Sequence, residues 1–231
     1  MARIVTWANM SGTIYELEAV FFDQDGVLID SEGAWDAARR AIVAENGGRW
    51  QPEATRTMMG MSAREWSRYL RDELGVPLEP EQISARVVER LLAGYERSLP
   101  LLEGAVAAVR RVAARWPVGL ASSANREVID AVLTASGLAG VFGATVAGEE
   151  VERGKPAPDI YLEAARRLGV DPARSAAVED STNGLRAAAA AGMRVVALPN
   201  HEFPPADDAL RLAAVVLGSL EELTPEALER G

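Results

Sequence analysis

A chain of 231 residues, 48% apolar and 25% charged, can bury an ordinary globular core in one large domain or two small ones. Its formal net charge of −10 argues against nucleic acid and anionic membrane surfaces as partners. The absence of cysteine excludes disulfides and thiolate metal sites and fits a reducing compartment. No apolar run nears the roughly 18 residues of a membrane span. The opening MARIVTWANMSG lacks the apolar stretch of a secretory signal, so a cytoplasmic protein is expected, with the role of residues 1–12 left open.

The first strong pattern is AVFFDQDGVLIDSE, residues 19–32, where an apolar run ends abruptly in Asp23 and Asp25. Four more short apolar runs follow, the first and third ending in polar residues: VGLAS (118–122), ATVAG (144–148), AAVED (176–180) and RVVAL (194–198). Each has the length of a strand buried on both faces. Helical spacing lies among the later ones, as in Val106, Val109, Val112 and Trp116, or Ile160, Ala164 and Leu168. This alternation predicts an α/β fold with a parallel sheet covered by helices on both faces. The stretch between the first strand and the second is too long for one crossover. It reads as helices AWDAARRAIVAE, AREWSRYLRDEL and EQISARVVERLLAGYERS, punctuated by Gly47, Gly48, Pro52, Gly75, Pro77 and Pro80. A helical insertion is therefore expected, forming its own cap over residues 31–97, with a discontinuous core at 14–30 and 98–231.

Ligands of open parallel sheets bind beyond the carboxyl ends of the strands. Asp23, Ser122 and the pair Glu179–Asp180 all fall at such ends, so they can converge despite their separation. Lys155, in ERGKPAPDIY, precedes a helix that Pro158 and Asp159 can open, and reaches the same rim. Asp23 is then placed to act as a nucleophile. Asp25, across a turn that Gly26 permits, can exchange a proton. Crowded carboxylates separate their protonation behaviour. A phosphate ester would add about −1.5 to −2 charges. Lys155 alone does not balance that sum, so a divalent cation is expected, and a carboxylate cluster suits Mg²⁺. Any one of these pieces has an ordinary explanation, such as an acidic turn or a helix cap; their joint order at the correct sheet edge carries the reading.

Four stretches in order, FFDQDGVLIDSE, LASSANREV, GKPAPDIYLEAARRLGV and AVEDSTNGLRAAAAAGM, resemble the motifs of the haloacid dehalogenase superfamily, in its beta-phosphoglucomutase-like branch. The resemblance covers about residues 16–220. It implies a Rossmann-like core with an inserted helical cap. By it, Asp23 would be the phosphoryl-accepting nucleophile and Asp25 the general acid and base. Ser122, with Ser123 beside it, and Lys155 would hold phosphoryl oxygens. Asp23, Asp25 through its carbonyl, and Asp180 would bind Mg²⁺, with Glu179 assisting. The implied activity is hydrolysis of a small phosphate monoester such as a sugar phosphate; a monomer is expected over an oligomer, with the oligomeric state left open by the sequence.

The chain departs from this pattern at four places. Gln24 stands where the family has an apolar residue and calls for a buried partner. Trp35 takes the place of a hinge histidine of the mutases, Met59 that of a cap lysine, and Ala63 that of an arginine whose neighbour here is Arg64. Those basic groups position a sugar bisphosphate for a second transfer. Without them water is the expected acceptor, and a phosphoglycosyl mutase is the alternative. Asp25 argues against the dehalogenase and phosphonate-cleaving branches, which lack the second aspartate. Asn125 and Arg126 fit either a helix start or a substrate contact. Arg56, Arg64 and Arg68 read as solvated surface, Trp50, Trp66 and Trp116 as core or domain contacts, and His201 as a loop residue. Asp30 is a candidate pin for the hinge.

Overall fold

The structure, a computed structural model, describes residues 6–8, 14–200 and 202–229. His201 and most of the 1–12 segment lie outside the described residues, so the readings of those positions find no counterpart. The chain begins with β1 (Thr6–Ala8) and β2 (Ile14–Glu16), an antiparallel pair with Trp7 opposite Tyr15. The sequence patterns did not signal this pair. β3 (Ala19–Phe22) then starts the main sheet.

Four helices follow: α1 (Glu32–Glu45), α2 (Ala54–Met58), α3 (Ala63–Asp72) and α4 (Pro80–Arg97). α1 buries Trp35, Ala38, Ile42 and Val43; α3 buries Trp66 and Leu70; α4 buries Ile83, Val87, Leu91 and Tyr95. These stripes at helical spacing form one apolar cluster. Glu65, at the third position of α3, reaches back to the Ser62 N–H at 2.8 Å and fixes that helix start. Pro80 opens α4, where its missing N–H costs nothing.

The alternation then runs as α5 (Ala105–Ala113), β4 (Val118–Ser122), α6 (Arg126–Ala135), β5 (Ala144–Ala147), α7 (Asp159–Leu168), β6 (Ser175–Glu179), α8 (Thr182–Ala190) and β7 (Arg194–Ala197). It closes with α9 (Asp207–Leu210), β8 (Val215–Val216) and α10 (Pro225–Glu229). Six strands form a parallel sheet in the order β5-β4-β3-β6-β7-β8. This is the α/β Rossmann-like fold expected, with a helical segment inserted between β3 and β4. β3 shows why its run is apolar throughout: Val20 and Phe22 face one core cluster, Ala19 and Phe21 the other. The second cluster is rich in alanine from α7 and α8, including Ala164, Ala165, Ala187 and Ala188. No helix among the described residues is long and apolar enough to cross a membrane.

The two connections to the helical segment are tied together by main chain. The Asp30 N–H donates to Pro100 O at 2.8 Å, and the Leu102 N–H to Leu28 O at 3.0 Å. Asp30 therefore pins this junction through its backbone, while its side chain is exposed.

Candidate active site

β3 lies between β4 and β6, so its end opens into the crevice where the strand order reverses. Asp23 is the first residue past that end. The chain then turns tightly, with the N–H groups of Val27, Leu28 and Ile29 converging on the Gln24 carbonyl at 3.3, 2.8 and 3.2 Å. Gly26 takes φ +73° in this turn, and a Cβ there would lie 1.9 Å from Asp180 Oδ2. Both conformation and space therefore demand glycine. Gly184, in the first turn of α8, is required for a related reason: a Cβ would lie 1.9 Å from the Glu179 carboxyl carbon. Two glycines from separate stretches thus make room for two adjacent carboxylates.

Glu179, with Asp23, meets a single ammonium. Lys155 Nζ lies 2.5 Å from Glu179 Oε1 and 3.2 Å from Asp23 Oδ1, and donates to Ala121 O at 3.0 Å. The lysine is 3% exposed. Burial works to neutralise it, but Asp23 and Glu179 outweigh that and hold its pKa above the ordinary lysine value. Glu179 is saturated as well: it accepts the Tyr161 hydroxyl at 2.8 Å and the Asp180 N–H at 3.1 Å. Asp23 accepts the Gln24 N–H at 2.8 Å. Burial pushes the Asp23 carboxyl up to about 8, with Lys155 opposing and Glu179 and Asp25 adding to the rise. Burial, then Glu179 and Asp23, raise Asp180 well above the usual carboxylate range. One oxygen each from Asp23, Glu179 and Asp180 falls within 4.8 Å of the others. Three buried carboxylates against one ammonium leave negative charge uncompensated, and hard oxygen donors at this spacing fit a hard divalent cation.

Asp25 is held differently. Its Oδ1 accepts the Ser31 hydroxyl and, at 3.2 Å, the indole N–H of Trp35. Burial raises its pKa, while these two donors lower it. A cavity of about 50 Å³ lies over these groups, roofed by Trp35, Arg39, Met58–Met61 and Trp66 of the helical segment.

The structure brings Asp23, Asp25, Ser123, Lys155 and Asp180 to this cavity, with Glu179 directly behind Lys155. Ser122 is fully buried just beneath, its Oγ accepting the Ala124 N–H at 3.1 Å. Gln24 finds no buried partner: both amide atoms are unpaired among the described residues. Asn125 stands at the N-cap position of α6 without a side-chain capping bond and donates to Glu149 at 3.1 Å, and Arg126 pairs with Glu150 at 2.6 Å. Arg56, Arg64 and Arg68 are exposed. Trp116 is a core residue, Trp50 packs under Arg40, and Trp66 faces the cavity. Sequence reasoning missed Glu32 and Arg39. Arg39 had a signal: it interrupts the buried stripe of Trp35, Ala38 and Ile42 on α1.

Residues 17–192 match the family model of haloacid dehalogenase-like hydrolases. The chain belongs to this family, and it is a phosphoric monoester hydrolase. It is similar to hexitol phosphatase B of Escherichia coli, with 36% identity over 219 residues, covering 92% of this chain and 97% of that one. A phosphorylated carbohydrates phosphatase of Thermotoga maritima is 32% identical over 209 residues, covering 90% and 96%. Among solved structures, CbbY from Rhodobacter sphaeroides in complex with phosphate superposes with a TM-score of 0.80 at 30% identity, covering 93% of this chain and all of that one.

Proposed function

We propose that the enzyme is a Mg²⁺-dependent phosphatase that hydrolyses a small sugar phosphate through an aspartyl-phosphate intermediate, acting as a cytoplasmic monomer. The observation that carries this reading is the joint placement of Asp23, Asp25 and Lys155 around one cavity, with three carboxylate oxygens clustered beside it. The names of the relatives support the substrate class, being a hexitol phosphatase and a phosphorylated carbohydrates phosphatase.

In this mechanism Asp23 attacks phosphorus in line and the bond to the leaving oxygen breaks. Asp25 supplies the proton that this oxygen takes. Water then attacks the aspartyl phosphate, Asp25 accepts its proton, and inorganic phosphate leaves with Asp23 restored. Lys155, Ser122 and Ser123 hold the phosphoryl oxygens during both transfers. Asp23, Asp180 and the Asp25 carbonyl would hold Mg²⁺, with Glu179 assisting. Bound there, the cation would offset the carboxylate charge and stabilise negative charge on the phosphoryl group.

Residues 31–97 are the cap in this reading. A cavity of about 50 Å³ does not admit a sugar phosphate, so the helices must lift about the junctions near residues 29–31 and 98–102. The mutase alternative is not favoured, because Trp35, Met59 and Ala63 stand where its basic groups would be. The test is a panel of phosphate esters assayed with Mg²⁺ and again with chelator. Release of inorganic phosphate that depends on Mg²⁺ and is fastest on sugar phosphates is expected. Isomerisation of a hexose 1-phosphate with a bisphosphate primer, without phosphate release, would overturn the reading.

A further inference from the structure

Arg39 is a buried cation lining the cavity, and no ion pair is closed to it among the described residues. It is 6% exposed, and its Nε has no hydrogen-bond partner among the described residues. Its guanidinium carbon lies 4.9 Å from the Trp35 ring and 5.1 Å from the Trp66 ring, and the two indoles are 6.0 Å apart. Such contacts stabilise the charge but satisfy none of the N–H groups. Asp25, Glu32 and Asp36 act on the guanidinium at longer range, and none closes an ion pair with it among the described residues. Burial pushes its pKa down to about 10, so it stays charged at neutral pH. A desolvated donor-only group left without acceptors is costly.

The position of the missing acceptor follows from the neighbours. The Trp35 ring that carries Arg39 donates its own N–H to Asp25. Arg39 therefore stands on the side of the cavity where Asp25 meets the leaving oxygen. Glu32 lines the same cavity and adds an acceptor there. A group with both donors and acceptors satisfies this pair, whereas a carboxylate would meet Asp25 and Glu32 at like charge.

We propose that Arg39 is a specificity-determining residue that donates hydrogen bonds to hydroxyl oxygens of the leaving group, selecting phosphate esters of polyhydroxylated alcohols. The proposal rests on the phosphatase reading and narrows it. The test compares the wild type, Arg39→Met and Arg39→Lys on a hexitol phosphate, on 2-phosphoglycolate and on n-butyl phosphate, which offers no acceptor beyond the phosphate. The ratio of kcat/KM for hexitol phosphate over butyl phosphate should fall about 10–100-fold in Arg39→Met, the range of a lost hydrogen bond to a charged group. Arg39→Lys, which keeps the charge, should recover part of that ratio. Equal losses on all three esters, or an unchanged ratio, would overturn the proposal, because a structural role lowers all substrates alike. A larger loss on 2-phosphoglycolate than on hexitol phosphate would overturn the hydroxyl assignment in favour of a carboxylate. A wild type inactive on all three would instead overturn the phosphatase reading itself.

Discussion

The floor of the cavity and its roof are built on opposite plans. On the floor, Asp23, Lys155, Glu179 and Tyr161 are tied together at 2.5–3.2 Å, from three different stretches of chain. On the roof, Trp35, Trp66 and the methionines pack by shape, and Arg39 contributes a charge that no floor residue pairs with. The floor's groups fix one another, so its geometry defines the chemistry. The roof is held by shape and ring contacts, so in the proposed reading its residues define what is admitted. This division also explains the departures at positions 35, 59 and 63. All are in the helical segment, and Trp35 reaches the floor by one hydrogen bond, to Asp25.

Floor variants should cost the most. Asp23→Asn removes the proposed nucleophile and should lower kcat by about 10⁴-fold or more, as nucleophile removal does elsewhere; retained turnover would break the comparison at its base. Asp25→Asn should cost about 10²–10⁴-fold, the range of general acid–base catalysis, and less on esters with good leaving groups. A roof residue that touches the floor should have a smaller and different effect. Trp35→Phe deletes the 3.2 Å hydrogen bond to Asp25. That donor lowers the Asp25 pKa, so its loss should shift the pH–rate profile upward with a drop of about 10-fold or less at neutral pH. A downward shift would show that Trp35 acts on something else.

Stability tests the buried carboxyls of the cavity, in floor and roof, without any substrate. In metal-free protein, burial raises Asp23 to about 8 from 3.8 and Glu32 to about 7 from 4.5. The folded state then binds more protons than the unfolded chain between pH ~4 and ~8. Stability from these groups is fully present below that window and is lost as pH rises through it. Melting temperature in chelator should therefore fall from pH 5 to pH 8, and added Mg²⁺ should restore more at pH 8 than at pH 5. A metal-free melting temperature that rises over this interval would contradict the arrangement. The smallest effect belongs to Gln24, whose two buried amide atoms lack partners. Gln24→Met keeps the volume and removes the unsatisfied groups, and it should stabilise the fold by about 1–3 kcal/mol in denaturant unfolding.

The same contrast separates what was legible in the sequence from what was not. β3, β4, β5, β6 and β7 each announce themselves as a short apolar run, closed by a polar residue in β3, β4 and β6, because both faces are buried. β8 has only Val215 and Val216, and Val216 is 56% exposed, too little pattern to read. α2, of five residues, and the β1–β2 pair are too short for periodicity as well. Asp23, Asp25, Lys155, Glu179 and Asp180 were legible because strand ends of a parallel sheet share one edge, so position along the chain implies proximity. Arg39 and Glu32 sit on a helix whose tilt over that edge is set by packing with α3 and α4, and sequence spacing carries no such information. Gln24 is the instructive disagreement: a buried polar side chain called for a partner, and the turn supplies partners only to its main-chain groups.

The floor can be interrogated most directly by acid-quenching the enzyme during turnover of a ³²P-labelled sugar phosphate with Mg²⁺, then mapping the label by peptide digestion. Label on Asp23, absent in Asp23→Asn and in the presence of chelator, is the expected result. Steady release of phosphate with no protein-bound label, or label on another residue, would contradict nucleophilic attack by Asp23.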